Sequence, residues 1–247
     1  MTHAARYDDV ADFYAAGWAD DVDDPAAVRL LALLEPIAGR QVLEIACGHG
    51  RISRALARRG AGVLGVDISS ALIEKARAAE HDSPLGIRYV HADVAGPGLP
   101  DVSGPFDAVV CSFGLSDIDD LEGATAAAAR VLPPGGVFVC STLHPCFPGG
   151  RSVSGSWPAD GSYYSEGWWR ADGELSSLRR QVGANHRTLS TYVNAFRRHG
   201  LWLDEMAEPE PAPDWAATRP DAARYPVFLV MRCVKHGDDS VADGGDI

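Results

Sequence analysis

A chain of 247 residues, 46% of them hydrophobic, is long enough to bury a full core as one α/β domain with a modest insertion. Its 34 acidic residues outnumber 22 Lys and Arg, and the formal net charge of -12 disfavours nucleic acid or an anionic membrane as partner. No apolar run approaches the length of a bilayer span, and the N-terminal stretch carries acids in place of a signal-like apolar block, so a cytoplasmic location is expected.

Tyr7, Val10, Phe13, Tyr14 and Trp18 are spaced to form one side of a short helix, which the acid-rich DDVDDP segment ending at Pro25 interrupts. A second helix follows over 26–34, with Pro25 at its first position and Pro36 just beyond its end. Together they make an N-terminal helical cap over 1–35. The pattern then predicts strand 41–46, helix 51–59, strand 62–66 and helix 70–80, with Ser69 as its cap. Arg51, Arg54, Arg58 and Arg59 read as the solvated face of the first of these helices. Strands 87–91 and 106–112 come next, the latter nearly all apolar, as befits a parallel sheet covered on both faces. Helix 121–131 stops at Pro133, Pro134, Gly135 and Gly136, and strand 137–141 follows. Strands and helices alternating at this interval specify a doubly wound α/β fold with right-handed crossovers.

The rhythm breaks after residue 143. Segment 144–186 concentrates Trp157, Tyr163, Tyr164, Trp168 and Trp169 among glycines, serines and prolines, and is expected to form a lid over a binding cavity. Helix 189–198 and strands 201–206 and 225–234 complete a single domain over 1–238, the last two strands separated by a loop with four prolines, a fifth standing at 226. The polar residues 239–247 are expected to be a disordered tail.

Three strand tips carry the ligand chemistry. The turn after the first strand holds Ala46, Gly48 and Gly50 before a helix, an arrangement that brings backbone close to a ligand. It departs from G-x-G-x-x-G, with Ser53 at the third glycine, which disfavours a dinucleotide. Asp67, ending the second strand, can accept hydrogen bonds from both hydroxyls of a ribose. Asp93, ending the third, can take one from a base amine, with Ile68 and Val94 against the ring faces. Five cysteines without paired short spacing suggest neither disulfides nor a zinc ribbon, and Cys140, His144 and Cys146 lack a fourth ligand, so no metal is expected.

VLEIACGHG (42–50), VDIS (66–69), HADV (91–94), FDAVVCSFG (106–114) and LPPGGVFV (132–139) together resemble the motifs of the class I S-adenosylmethionine-dependent methyltransferases, in particular their small-molecule, UbiE-like branch. The resemblance implies a Rossmann-like seven-stranded sheet with an antiparallel last strand. It implies S-adenosyl-L-methionine as cofactor and S-adenosyl-L-homocysteine as product, held by Glu44, Ala46, Gly48, Gly50, Asp67, Ile68, Asp93, Val94 and Ser112. Glu44 would either tether the glycine turn or face the methionine amine. The expected reaction is in-line methyl transfer to oxygen or nitrogen of a small-molecule metabolite in a closed, ring-lined pocket. Carbon methylation of a small aromatic or quinone-like acceptor is the nearest alternative. A nicotinamide-dependent oxidoreductase and a non-catalytic cofactor-binding protein are the others.

Tyr14, Trp18, Tyr163, Tyr164, Trp168 and Trp169 are the expected acceptor-binding rings, with Tyr7 and Phe13 closing the cavity from the same side as Tyr14. His144 and His186 are the expected bases if the acceptor is a hydroxyl. Arg187 would pair with an acceptor carboxylate or with Glu166, and Asp117 is a further group able to orient an acceptor. The segment CSFGLSD lacks the Asn/Asp-Pro-Pro-Tyr pattern of enzymes acting on nucleic-acid amines, which, with the acidic surface, again points to a small molecule and away from a nucleic-acid partner; a monomer or homodimer is expected.

Overall fold

The computed structural model describes residues 5–18, 21–96, 102, 104–148, 153, 155–158, 160–172, 177–220 and 222–237. In chain order its helices and strands begin with α1 (Ala11–Ala16), α2 (Pro25–Ala32), β1 (Gln41–Ile45), α3 (Arg51–Arg58), β2 (Gly62–Asp67), α4 (Ser70–Asp82), β3 (Arg88–His91), β4 (Ala108–Ser112), α5 (Leu121–Val131) and β5 (Val137–Leu143). They continue with β6 (Gly167–Trp169), α6 (Ser177–Val182), β7 (Ala184–His186), α7 (Leu189–Arg198), β8 (Leu201–Ala207), α8 (Pro213–Thr218) and β9 (Phe228–Lys235).

Seven strands form one sheet in the order β3-β2-β1-β4-β5-β9-β8. β1 to β5 pair in parallel, and β9 runs antiparallel to both of its neighbours. This is the Rossmann-like sheet with an antiparallel closing strand. Alternate side chains of each strand enter opposite layers. Leu43, Ile45, Val109, Cys111 and Phe138 pack under α5 and α7, whereas Val42, Val63, Ala108, Val110 and Val139 pack under α2 and α3. Four alanines of α5, Ala124, Ala127, Ala128 and Ala129, are buried in the first of these layers.

α2 illustrates how the N-terminal cap is locked in place. Asp24 has extended backbone and accepts the Ala27 amide at 2.9 Å, Pro25 sets the first helical φ, and Leu30 and Leu31 are buried against the second layer. Asp24 also receives Arg51 at 2.9 Å, which fastens α2 to α3. Asp24→Ala is expected to lower stability by about 1 to 2 kcal/mol, read from the urea midpoint; no change would show the cap to be dispensable.

The predicted order of elements is reproduced, except that α8 forms within the proline-rich stretch read as a loop and that three further differences appear. β5 runs on to Leu143 because β9 still pairs with it there, Leu143 opposite Phe228. β9 begins at Phe228, beyond Pro226, which has no amide to give a ladder. The insertion is not an irregular loop throughout: β6 and β7 pair as an antiparallel ribbon on either side of α6. The expected tail at 239–247 lies outside the described residues.

Candidate functional site

The glycine turn is built around left-handed backbone. Gly48 and Gly50 have φ of 55° and 86°, and a Cβ on Gly50 would sit 2.3 Å from the Tyr89 hydroxyl. Ala46 and Phe113, at the tips of β1 and β4, also adopt φ of 54° and 55°, uncommon for residues bearing a Cβ. Gly114 lets the two tips meet, since its own Cβ would lie 2.5 Å from that of Ala46. Sheet geometry and small residues thus bring strained backbone to one edge.

Asp67 ties that edge together. One carboxylate oxygen accepts the Gly48 amide at 2.7 Å and the other the Ser69 amide at 2.8 Å, while the residue remains only 8% exposed. Burial pushes its carboxyl above the ordinary range and the two amides oppose that rise. Glu44 is fully enclosed behind the turn and accepts the Ser53 hydroxyl, so it tethers β1 to the first turn of α3. Burial first, and the neighbouring Asp67 charge second, push the Glu44 carboxyl up to about 8.

A proton therefore stays on Glu44 in the folded chain after it has left the unfolded one. Stability from this group is complete below its ordinary 4.5 and is lost as pH rises to about 8. Glu44→Gln is expected to flatten that decline, as measured by urea unfolding between those pH values; an unaltered slope would show that Glu44 is ionised when buried.

At this edge lies a cavity of about 280 Å³. Ala46, Gly48, Asp67, Ile68, Asp93, Val94 and Ser112 line one part of it, as the strand-tip pattern anticipates. Gly50 shapes the turn and is not on the cavity wall. Tyr14 and Trp18 line it from α1 and just beyond, with Tyr14 edge-on to the rings of Tyr7 and Trp18. Arg51 stacks over Trp18 with its guanidinium 4.8 Å from the ring centre, so this arginine of the basic cluster steadies the wall.

The opposite part of the cavity is more polar than its sequence suggested. Asp117 accepts the Tyr7 hydroxyl at 3.1 Å on one oxygen and Arg179 on the other. Arg6 donates to the Asp117 carbonyl at 3.2 Å and, through Nη2, to both oxygens of Asp119 at 2.7 and 2.6 Å. Burial and the Asp117 charge keep the Tyr7 phenol protonated well above its usual range. Leu143, Phe113, Ile118, Leu178 and Phe228 complete the apolar wall.

Several expected site residues lie elsewhere. His144 is buried after β5, with Nδ1 accepting the Cys146 amide at 3.0 Å and Nε2 2.9 Å from Glu208 but off the direction of a good hydrogen bond. Burial lowers its pKa despite Glu208. His186 is enclosed within the insertion, Nε2 against the Tyr163 carbonyl at 2.8 Å and its ring beside Trp157 and Tyr163. Neither histidine lines the cavity, so the expectation of a histidine base is corrected: both hold loops.

The same correction applies to four rings and an arginine. Tyr164 is 85% exposed; Trp168 packs on Gly183 and over Arg6 and Arg170; Trp169 donates to the Ser156 carbonyl at 3.0 Å; and the Tyr163 hydroxyl accepts the Leu189 amide at 3.1 Å. Pairing of β6 with β7 fixes Trp168 and Trp169, and none of the four rings lines the cavity. The insertion covers the cavity through Leu178 and Arg179 of α6 instead. Arg187 contacts neither Glu166 nor the cavity: it donates to the carbonyls of Leu115, Ile118 and Asp119 at 2.6, 2.7 and 2.9 Å. It thereby fixes the loop that presents Asp117. Glu166 accepts from Thr188 and Thr191.

Arg6, Arg179, Leu178 and Phe228 are cavity residues that the sequence reading did not single out. The signal for Asp117 was its place just past β4, the same edge as Asp67 and Asp93; nothing local marked Arg179. Among the described residues no group of three or more His, Cys, Asp or Glu is arranged to hold a metal ion, and no helix is long and apolar enough to cross a membrane.

A family profile described as Methyltransferase domain matches residues 43–140. The ubiquinone biosynthesis O-methyltransferase of Methylococcus capsulatus is 32% identical over 122 residues, covering 49% of this chain and 51% of that protein. The demethylmenaquinone methyltransferase of Tropheryma whipplei is 32% identical over 177 residues, covering 64% of this chain and 70% of that protein. The crystal structure of an S-adenosylmethionine-dependent methyltransferase from Mesorhizobium loti aligns with a TM-score of 0.66 at 32% identity, over 84% of this chain and 96% of that one. The chain spans about half the length of the ubiquinone O-methyltransferases it matches.

Proposed function

The chain belongs to the S-adenosylmethionine-dependent methyltransferases, and from that premise we propose that it methylates an oxygen or nitrogen of a small molecule. The observation that carries this reading is a single cavity joining the strand-tip acids Asp67 and Asp93 to the aromatic and polar wall around Tyr7, Tyr14 and Asp117. One end suits a nucleoside and the other a second molecule.

The residues fit the cofactor. A buried carboxylate already fixed by two backbone amides, as Asp67 is, keeps further lone pairs for the hydroxyls of a ribose. Ile68 and Val94 offer apolar contact to a base whose amine faces Asp93, and Gly48 and Ser112 border the same space. Bound there, S-adenosylmethionine supplies an electrophilic methyl group on a sulfonium. Tyr14, Trp18, Phe113 and Phe228 exclude water and present rings, which favour a neighbouring cation by about 0.5 to 2 kcal/mol each when well oriented. Holding two reactants in line within such walls supplies much of the rate without a covalent catalyst.

Titration calorimetry with S-adenosylhomocysteine and NAD tests the cofactor assignment: binding of the first alone is expected, and binding of NAD alone would overturn it. Labelled S-adenosylmethionine with a panel of small hydroxy and amino compounds tests transfer, and a cofactor-binding chain that methylates none of them would leave a non-catalytic role. The Tropheryma relative, whose name specifies a demethylmenaquinone, supports carbon methylation of a quinone-like acceptor as a second reading. The carbon shift of the transferred methyl group separates the two.

A further inference from the structure

We infer that the acceptor end of the cavity reads a hydrogen-bond donor: Asp117, steadied by Tyr7 and Arg179, takes the O–H or N–H of a neutral or cationic acceptor, and carboxylate and phosphate acceptors are rejected. The inference rests on the methyltransferase reading above and assigns Asp117 as its specificity-determining residue.

The argument is a count of donors and acceptors. Arg6 and Arg179 are the cations that line the cavity among the described residues. Arg179 is committed to Asp117, to the Gly183 carbonyl at 2.9 Å and to the Ser116 hydroxyl at 3.4 Å. Arg6 is committed to Asp119 and to the Asp117 carbonyl. An anionic acceptor would have to break these pairs and then lie beside Asp117 and Asp119, in a cavity whose far end already holds Asp67 and Asp93. Like charges brought together in this way are a device for refusing the wrong ligand.

The acceptors are in surplus. A carboxylate offers about four lone-pair positions, and Asp117 uses one for Tyr7 and one for Arg179. The Tyr7 phenol has a single proton, already given to Asp117, so its oxygen can only accept from a bound molecule. Phe113, Ile118, Leu178 and Phe228 line the same cavity with apolar surface, and a molecule there that lacks a matching donor leaves the carboxylate unsatisfied. Arg187, through its three carbonyl contacts, and Asn185, which donates to Asp119 at 3.0 Å, hold the loop in the position that this reading requires.

The test uses the full chain saturated with S-adenosylhomocysteine and probes that share one ring: catechol and benzylamine as donors, benzoate and phenyl phosphate as anions. Binding is followed by calorimetry and by tryptophan fluorescence, since Trp18 borders the cavity. The donors are expected to bind at least about tenfold more tightly than the anions, and Asp117→Asn to erase most of that difference while S-adenosylhomocysteine affinity is retained. Tyr7→Phe leaves the Asp117–Arg179 pair intact and guards against a folding defect; it is expected to reduce the preference for donors by about threefold. Anions bound as well as donors, no probe of either kind bound, or a preference unchanged in both variants would overturn the inference. Failure of the wild-type chain to bind S-adenosylhomocysteine would instead overturn the methyltransferase reading on which it stands.

Discussion

Asp67→Ala is expected to weaken S-adenosylhomocysteine binding by at least about a hundredfold, because two hydrogen bonds from ribose hydroxyls to one carboxylate are worth about 1.5 to 3 kcal/mol each when the acceptor is charged. The substitution also removes the partner of the Gly48 and Ser69 amides, loosening the turn and the start of α4 that border the same space. The fold itself should survive. Burial already works against the ionised carboxyl, so its removal relieves a desolvation penalty as it deletes two hydrogen bonds. The two effects offset, and the urea midpoint should move by an amount equivalent to about 1 kcal/mol or less. Calorimetry and urea unfolding on the same preparation distinguish a binding role from a structural one. Affinity within threefold of the wild type, on the order of 0.6 kcal/mol, would remove Asp67 from the cofactor site.

Arg179→Met carries the second large effect, on stability in place of affinity. Arg179 and Asp117 are mostly withdrawn from water, with side-chain exposures of 12% and 22%. Removing one member of such a pair strands the other, at a loss of about 3 kcal/mol, whereas replacing both by apolar groups of similar size is often close to neutral. The double variant Asp117→Leu with Arg179→Met is therefore expected to regain most of the stability that Arg179→Met loses. A double-mutant cycle from urea unfolding measures the coupling directly. Additive losses would show that the pair is a surface ion pair of little consequence. The same double variant should bind S-adenosylhomocysteine normally, since neither residue belongs to the strand tips assigned to the nucleoside.

What was legible in the sequence was what is local. The tips of β1, β2 and β3 could be read because the first two strands are apolar runs, the third, read over 87–91, carries Ile87, Tyr89 and Val90, and each is followed or ended by a glycine or an acid, which parallel pairing then brings together. Asp67 and Asp93 needed no knowledge of distant partners. The acceptor wall is different in kind. Arg6, Asp117 and Arg179 come from the N-terminal segment, the β4–α5 connection and a six-residue helix inside the insertion, and no spacing in the chain relates them. Phe228 reaches the cavity only because β9 is inserted beside β5.

The aromatic insertion shows how composition can locate a feature and still misassign its side chains. Its density of rings correctly marked a covering segment, but density does not say where a ring points. Trp168 and Trp169 are consecutive residues of one strand and must face opposite ways. Trp157 donates to the Pro145 carbonyl and Trp169 to that of Ser156, so the indole nitrogens are satisfied within the insertion. The histidines misled for a related reason. An unperturbed pKa near neutrality made His144 and His186 attractive as bases, yet the structure surrounds them with backbone partners and rings that belong to loops.

The place of β9 between β5 and β8 governs how a nascent chain acquires its chamber. A ribosome releases β8 before the strand that will be its sole sheet neighbour, so β8 emerges with both edges bare and nothing to join. Phe228 is the first residue of β9 and also part of the chamber wall. A polypeptide stalled short of that point would display the acids of the strand tips with Phe228 missing from the wall beside them and β8 still unattached to the sheet, so one strand both completes the sheet order and supplies part of the chamber.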